Sequence, residues 1–258
     1  MISFTVITCT YNAQDVLQRT LDSVLIQTNP HVEHLIVDGA SKDATMELVR
    51  GYQQKNQEAE SLHEVTVVSE KDRGLYDAMN KAIRLARNEY LVFLNAGDVF
   101  PSEDTLDLIA GNVGEDEVHP AVLYGDTNVV DMDGHFLRRR RLTPPEKLTW
   151  KSFRWGMLVC HQSFYVRSDI AKQTPYNLDY RYSADVDWCI RVMRKAADEK
   201  LSLRNVHTVV TNYLDGGMSV QNHRDSLKER FQVMQSHYGF LTTAVMHVLF
   251  VFRAVLKK

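Results

Sequence analysis

With 258 residues, 44% of them hydrophobic, the chain is long enough to bury a sizeable core in one large domain. A formal net charge of -3 argues against a duplex-binding module, so nucleic acid is not an expected partner. Cys9, Cys160 and Cys189 lie too far apart for a disulfide framework or a zinc ribbon, which leaves a reducing compartment as the simplest expectation.

The start, MISFTVITCTYN, lacks the basic, apolar and small-residue segments of a secretory signal and reads as a strand. After the polar Thr10, Tyr11 and Asn12 comes DVLQRTLDSVLIQ, where Val16, Leu17, Thr20, Leu21, Val24 and Leu25 recur at helical intervals. EHLIVDGA predicts a second strand, SKDATMELVRGYQQ a helix with Ser41 as its N-cap, and HEVTVVSE a third strand. GLYDAMNKAIRLAR predicts a helix with Leu75, Met79, Ala82, Ile83 and Ala86 on one face, and EYLVFLN a fourth strand. Strands alternating with helices over about a hundred residues imply parallel pairing through right-handed crossovers, hence a doubly wound half.

Such a sheet gathers the carboxyl ends of its strands along one edge, and ligands bind just outside it. The polar residues that stop the strands should meet there: Thr8, Thr10, Tyr11 and Asn12, then Asp38, Gly39 and Ser41, then Glu70, Asp72 and Arg73, then Asn95 and Asp98. One Asp-Gly pair is ordinary turn chemistry, but four such strand ends make a candidate ligand crevice. TCTYNAQDV holds no glycine, which removes both the dinucleotide fingerprint and the P-loop. Nucleotide phosphates would then need a divalent cation bridging carboxylate and diphosphate. Asp98, in the turn NAGD, is the natural ligand, its alternative being a turn or helix cap.

In the second half, Asp133 and Gly134 signal a hairpin. Arg138 to Arg141 follow it, on a solvated edge strand or against anionic headgroups or a diphosphate-bearing acceptor. His161 and Gln162 are expected to begin a strand, with His161 either structural or part of the site. RYSADVDWCIRVMRKA sets Asp185 and Asp187 two residues apart ahead of a partly buried helix, as helix-start charges or as a catalytic base. Gly216 and Gly217 would let a loop close, with His223 just beyond as surface or metal neighbour. The uncharged run from Gly239 to Phe252 is too short for a membrane span, so an interfacial helix, a self-association helix or a packed helix is expected.

TCTYNAQDVLQRTLDSVLIQ, LIVDGASKDAT, SEKDRGLYDAMNKAI and FLNAGD together resemble the nucleotide-sugar-binding motifs of family 2 inverting glycosyltransferases, of the bacterial surface-polysaccharide type; the matching motifs reach from residue 4 to about residue 219. The resemblance implies an α/β, GT-A-type fold: a Rossmann-like, doubly wound, mostly parallel sheet with a mixed C-terminal acceptor half and a C-terminal helical tail. Residues 1–225 would form the GT-A domain, 1–100 being its nucleotide-sugar half and 101–225 its acceptor half, and 226–258 an amphipathic tail. By that resemblance Thr8, Thr10 and Asp38 lie where the uracil and ribose of a UDP-sugar are held, and Arg73, Asp77 and Asn80 flank the nucleotide. Asn12 and Asn95 join the donor site, and Asp98 takes Mn2+ or Mg2+. NAGD departs from the common family turn, which is acidic at the places of Asn95 and Gly97, so weaker divalent binding is expected.

SADVDW matches the stretch that bears the family's base, with alanine first in its acidic pair. Asp185 falls on the base, with Asp187 as helper or cap. His161, Gln162, Asp187, Trp188, Gly217 and His223 are candidates around the sugar and acceptor, and the Gly216–Gly217 segment resembles the family's closing loop. The implied activity is inverting transfer of a sugar from a nucleotide-diphosphate donor to a glycan or lipid-linked acceptor. It would run in the cytoplasm, peripheral to the inner face of the membrane, with the C-terminal tail and Arg138 to Arg141 as membrane contacts and a homo-oligomer open. Two other classes stand beside it: a non-catalytic sugar-nucleotide-binding or scaffold protein of the same fold, and a nucleotidyltransferase, whose glycine-rich basic first loop CTYNAQ does not supply.

Overall fold

All seven residues of β1 (Phe4–Thr10) and all seven of β2 (Val32–Asp38) are buried, as befits strands covered on both faces. They lie in a computed structural model that describes residues 1–59, 63–114, 118–216 and 223–255. With β3 (Glu64–Ser69) and β4 (Tyr90–Phe93) they form a parallel block, and the sheet continues in the order β3-β2-β1-β4-β7-β5-β6. β7 (Phe164–Arg167) is antiparallel to both neighbours, β4 and β5 (Val122–Val130). β6 (Phe136–Arg139) hairpins onto the end of β5 through Gly134, at φ 85, and β8 (Leu203–Leu214) runs parallel to β5. This is the α/β architecture expected, a mostly parallel sheet with a mixed second half.

Side-chain alternation decides the layers. Ile7, Cys9, Leu35, Val37, Leu91 and Phe93 point to one face and pack with α3 (Leu75–Leu85) and α6 (Ala184–Asp198). On the other face Val6, Val92 and Leu94 meet α4 (Thr105–Gly111), while Ile36 meets α1 (Leu17–Leu25) and α2 (Thr45–Glu58). A short α5 (Ser168–Lys172) follows β7. The described residues close with two consecutive helices, α7 (His223–Tyr238) and α8 (Phe240–Val255). No helix among the described residues is long and apolar enough to cross a membrane.

Two local expectations change. Ser41 does not cap α2: its hydroxyl is drawn to Asp38 at 2.5 Å, and Asp43 Oδ1 instead accepts the Thr45 N–H at 3.0 Å. His161 and Gln162 do not start a strand but form a 3-10 turn with Ser163, and β7 begins at Phe164. That turn aims Gln162 back at the end of β4.

Candidate active site

β4 is buried throughout, and the turn after it is closed by the Asp98 N–H donating to Asn95 O at 2.9 Å. Thr20 of α1 braces this turn from behind: its hydroxyl accepts the Gly97 N–H at 2.8 Å and donates to Asp98 O at 2.8 Å. Gly97 sits at φ 100, and a Cβ there would lie 2.6 Å from Leu214 Cδ2. A side chain at 97 would be strained by that positive φ and would have to displace the Leu214 side chain, which favours glycine here. Asp98 is 3% exposed. Its Oδ1 accepts the Leu214 N–H and its Oδ2 the Gln162 amide, each at 2.9 Å. Burial nevertheless pushes its carboxyl up to about 7. Beside it, Asn95 Oδ1 is buried with no hydrogen-bond partner.

The neighbouring strand ends behave differently. Asp38 is fully buried and accepts four hydrogen bonds: Thr10 Oγ1 at 3.1 Å, Ser41 Oγ at 2.5 Å, Ser41 N at 3.0 Å and Ser69 Oγ at 2.7 Å. Burial raises its carboxyl, but those hydrogen bonds outweigh burial and hold it below its ordinary value. Thr8 is buried too, donating to Leu94 O at 2.9 Å and meeting His34 Nε2 at 3.0 Å. Asn12, exposed and at φ 48, ties the first loop to the second: its N–H donates to Ser41 Oγ and its Oδ1 accepts the Lys42 N–H. Asn80 spends both ends of its amide on the backbone of Tyr176, at 3.0 and 2.7 Å. Arg73 is exposed and pairs with Asp77 at 2.9 Å. Tyr11, 64% exposed beside Gly39, is a further open group at this edge.

Asp185 opens α6. Its Oδ1 accepts the Val186 N–H at 2.9 Å and the Tyr76 hydroxyl at 3.4 Å, and burial raises its carboxyl against the pull of Arg230. The backbone just ahead of it is held from α7, where Glu229 accepts the N–H groups of Arg181, Tyr182 and Ser183 at 2.6, 2.6 and 2.5 Å. Sequence reasoning missed Glu229, because an acidic residue in a polar helix gives no local signal of a partner 46 to 48 positions away. Asp187 faces inward to Arg191 at 2.7 Å and His237 at 2.8 Å. Trp188 is a core residue, stacked on Tyr176 at 4.8 Å with its N–H donated to Thr174 O at 2.6 Å. His161 is buried against Phe93, and burial lowers its imidazole to about 3, so it is neutral.

These groups share one edge of the sheet. Gln162, bound to Asp98, adjoins His161; His161 Nε2 meets the Tyr176 hydroxyl; Tyr176 stacks on Tyr76 at 5.3 Å; and Tyr76 reaches Asp185. Asp98 and Asp185 both act on Tyr213, whose hydroxyl is raised to about 12, chiefly by burial. Asp38 ends β2, separated from β4 by β1 alone. Gly217 lies outside the described residues, and of His223 only its place at the start of α7 is described. Arg138 is paired with Asp215 at 3.1 Å, while Arg139 and Arg141 are exposed.

One three-ligand cluster among the described residues lies elsewhere. Asp131, Asp133 and His135, at the β5–β6 turn, bring ligand atoms within 4.8 Å of one another. Asp131 Oδ1 there already accepts the N–H groups of Asp133 and His135.

Residues 5–201 match the model of the glycosyl transferase family 2. The chain is 36% identical over 218 residues to a Mycobacterium tuberculosis protein described as "PGL/p-HBAD biosynthesis glycosyltransferase", covering 84% of this chain and 78% of that one. Among solved structures it is similar to Staphylococcus aureus TarS 1-349 in complex with UDP-GlcNAc, with a TM-score of 0.71 at 19% identity, covering 95% of this chain and 66% of that one. It is also similar to the mannosyltransferase PcManGT from Pyrobaculum calidifontis in complex with GDP-Man and Mn2+, with a TM-score of 0.64 at 17% identity, covering 98% and 79%.

Proposed function

Because the chain belongs to the glycosyl transferase family 2, we propose that it moves a sugar from a nucleotide-diphosphate donor, a UDP-sugar, to a glycan or lipid-linked acceptor in surface-polysaccharide synthesis, with inversion. One observation carries this reading: buried Asp98 and half-buried Asp185, from opposite halves of the chain, are both carboxylates raised above their ordinary value by desolvation and joined through one layer of contacts on the ligand edge.

In this reading residues 1–100 hold the donor and 101–225 present the acceptor. Thr10, Asn12, Asp38 and Arg73 shape the nucleotide side, with Thr8 and Asn80 bracing it from within. The oxygen donors Asp98 and the unpartnered Asn95 Oδ1 fit a hard divalent cation, Mn2+ or Mg2+. When bound, it supplies positive charge against the donor diphosphate. Gln162 and the Leu214 N–H orient the Asp98 carboxylate, and the Thr20 hydroxyl holds its turn. Asp185 is the base: it accepts the proton of the acceptor hydroxyl while that oxygen bonds to the anomeric carbon, and the nucleoside diphosphate leaves with the electron pair of the broken bond. A raised pKa suits it to this step, since a base works best with its pKa near the operating pH. The Tyr76 hydroxyl and the Val186 N–H fix its orientation. All three cysteines are free and buried, which fits action in the reducing cytoplasm.

The test is a panel of UDP-, GDP- and dTDP-sugars, each with and without Mn2+. It reads thermal stabilisation and release of nucleoside diphosphate on addition of glycan acceptors. Stabilisation that needs both nucleotide and metal, followed by turnover, is the expected result. Binding without turnover on any acceptor would favour the non-catalytic binder.

A further inference from the structure

α8 returns along α7 after Gly239, and Phe231 of α7 meets both Phe240 and His247 of α8, at ring-centroid distances of 6.1 and 4.9 Å. Thr243 and Met246 are buried in this contact. The opposite side of α8 is bare: Leu241 is 79% exposed, Val245 59% and Phe252 60%, with Val248 and Leu249 exposed between them. Positions 241, 245, 248, 249 and 252 form one helical stripe. Scattered exposed apolar residues are ordinary, but a continuous stripe of this kind marks a surface that something covers.

The rim of the stripe says what. Trp155, at the end of the 3-10 turn Trp150–Trp155, is partly exposed and lies beside α8, with Arg253 5.6 Å and Arg154 5.7 Å from its ring centroid. From Gly239 to the end of the sequence there is no acidic residue, while Arg253, Lys257 and Lys258 are basic. A second copy packing through α8 would bring no carboxylate from that helix to Arg253. Anionic headgroups would meet Arg253, acyl chains the stripe, and Trp155 the boundary between them. At sixteen residues, about 24 Å, α8 is too short to span a bilayer but long enough to lie in its surface.

We propose that α8, with Trp155 and Arg253, docks this chain on the surface of an anionic lipid bilayer. The docking does not depend on the transferase reading, but it bears on it. Trp150, in the same 3-10 turn as Trp155, stacks on Tyr238 at 5.8 Å and lies under Arg194 of α6 at 4.1 Å, and α6 begins at Ala184, beside Asp185. The lipid-facing patch and the base therefore belong to one packed unit, and a membrane-held acceptor would meet the base at a set height above the bilayer.

The experiment floats the full chain with vesicles of phosphatidylcholine alone and of phosphatidylcholine with phosphatidylglycerol, beside the double variant Leu241→Glu/Val248→Glu and the single variant Arg253→Glu. All three residues are solvent-exposed, so both variants should keep the parent's melting temperature, which is measured first. The parent should co-float with the anionic vesicles and bind the neutral ones roughly tenfold less; the double variant should stay at the bottom, and Arg253→Glu should weaken binding several-fold. No flotation of the parent, or equal flotation of parent and double variant, would overturn the proposal. A dimer in sedimentation that the double variant abolishes, without vesicle binding by the parent, would overturn it in favour of a second copy.

Discussion

Asp38 ends the parallel strand β2 and Asp98 sits in the turn after the parallel strand β4, both buried, yet the molecule treats them in opposite ways. Asp38 is saturated by Thr10, Ser41 and Ser69 and sits below its ordinary pKa. Asp98 accepts one backbone and one side-chain hydrogen bond, too few to offset its burial, and Asp185 in the other half, half-buried with one bond of each kind, is likewise raised. A saturated carboxylate gains most by staying where it is and so braces the loops that bind a ligand. An under-satisfied buried carboxylate has free energy to gain from a cation or a proton. Sequence position alone does not separate the two kinds; their hydrogen-bond partners do.

Removing the base should break the comparison most visibly. Asp185→Asn is expected to lower kcat by about 10²–10⁴-fold with the melting temperature nearly unchanged, read by nucleoside diphosphate release. Next comes Asp98→Ala, which should cost roughly 10²–10³-fold; chelation with EDTA should do the same to the parent and have little further effect on the variant. Asp38→Ala should show the opposite profile. It strands the hydroxyls of Ser41 and Ser69 and should lower stability by about 2–4 kcal/mol in urea unfolding; a variant with parent stability would sink the bracing role.

Smaller effects sharpen the picture. Glu229→Ala frees three backbone N–H groups ahead of Asp185 and should cut kcat about tenfold with little change in the donor KM, along with a loss on the order of 1–2 kcal/mol of stability. Glu229→Asp should recover part of both. The last prediction concerns pH. Since the folded-state value of Asp98, about 7, lies above the unfolded one, its stability contribution is full in acid and is lost as pH rises through about 7. In metal-free buffer the parent should therefore lose melting temperature relative to Asp98→Asn between pH 5 and pH 8. Parallel melting curves across that range would show Asp98 to be an ordinary carboxylate.

Much of the donor half was legible because its signals are local. The apolar runs of β1 to β4 are separated by segments of helical period, and each strand ends on polar turn residues, so four strands and three helices fall within a few residues of expectation. The N-terminal half of the site, with Asp38 and Asp98 on one edge, follows from parallel winding. The second half was harder. β5 and β8 pair over nearly their whole length, yet their mixed runs VLYGDTNVV and LRNVHTVVTNYL carry no clean period, and β5 is flanked by β7, β6 and β8 in turn. His161 and Gln162, adjacent in sequence, part company: one enters the aromatic core and the other turns to Asp98.

The sequence by itself determined the alternating α/β plan, the family and the positions of the candidate carboxylates, because periodicity and turn chemistry act between near neighbours. Only the tertiary structure decided which carboxylates are saturated, why glycine is favoured at 97, that Glu229 holds the backbone ahead of Asp185 from a distant helix, and which side of α8 is left bare. Those outcomes depend on atoms brought together from segments tens to a hundred residues apart, where burial sets what each hydrogen bond and each charge is worth.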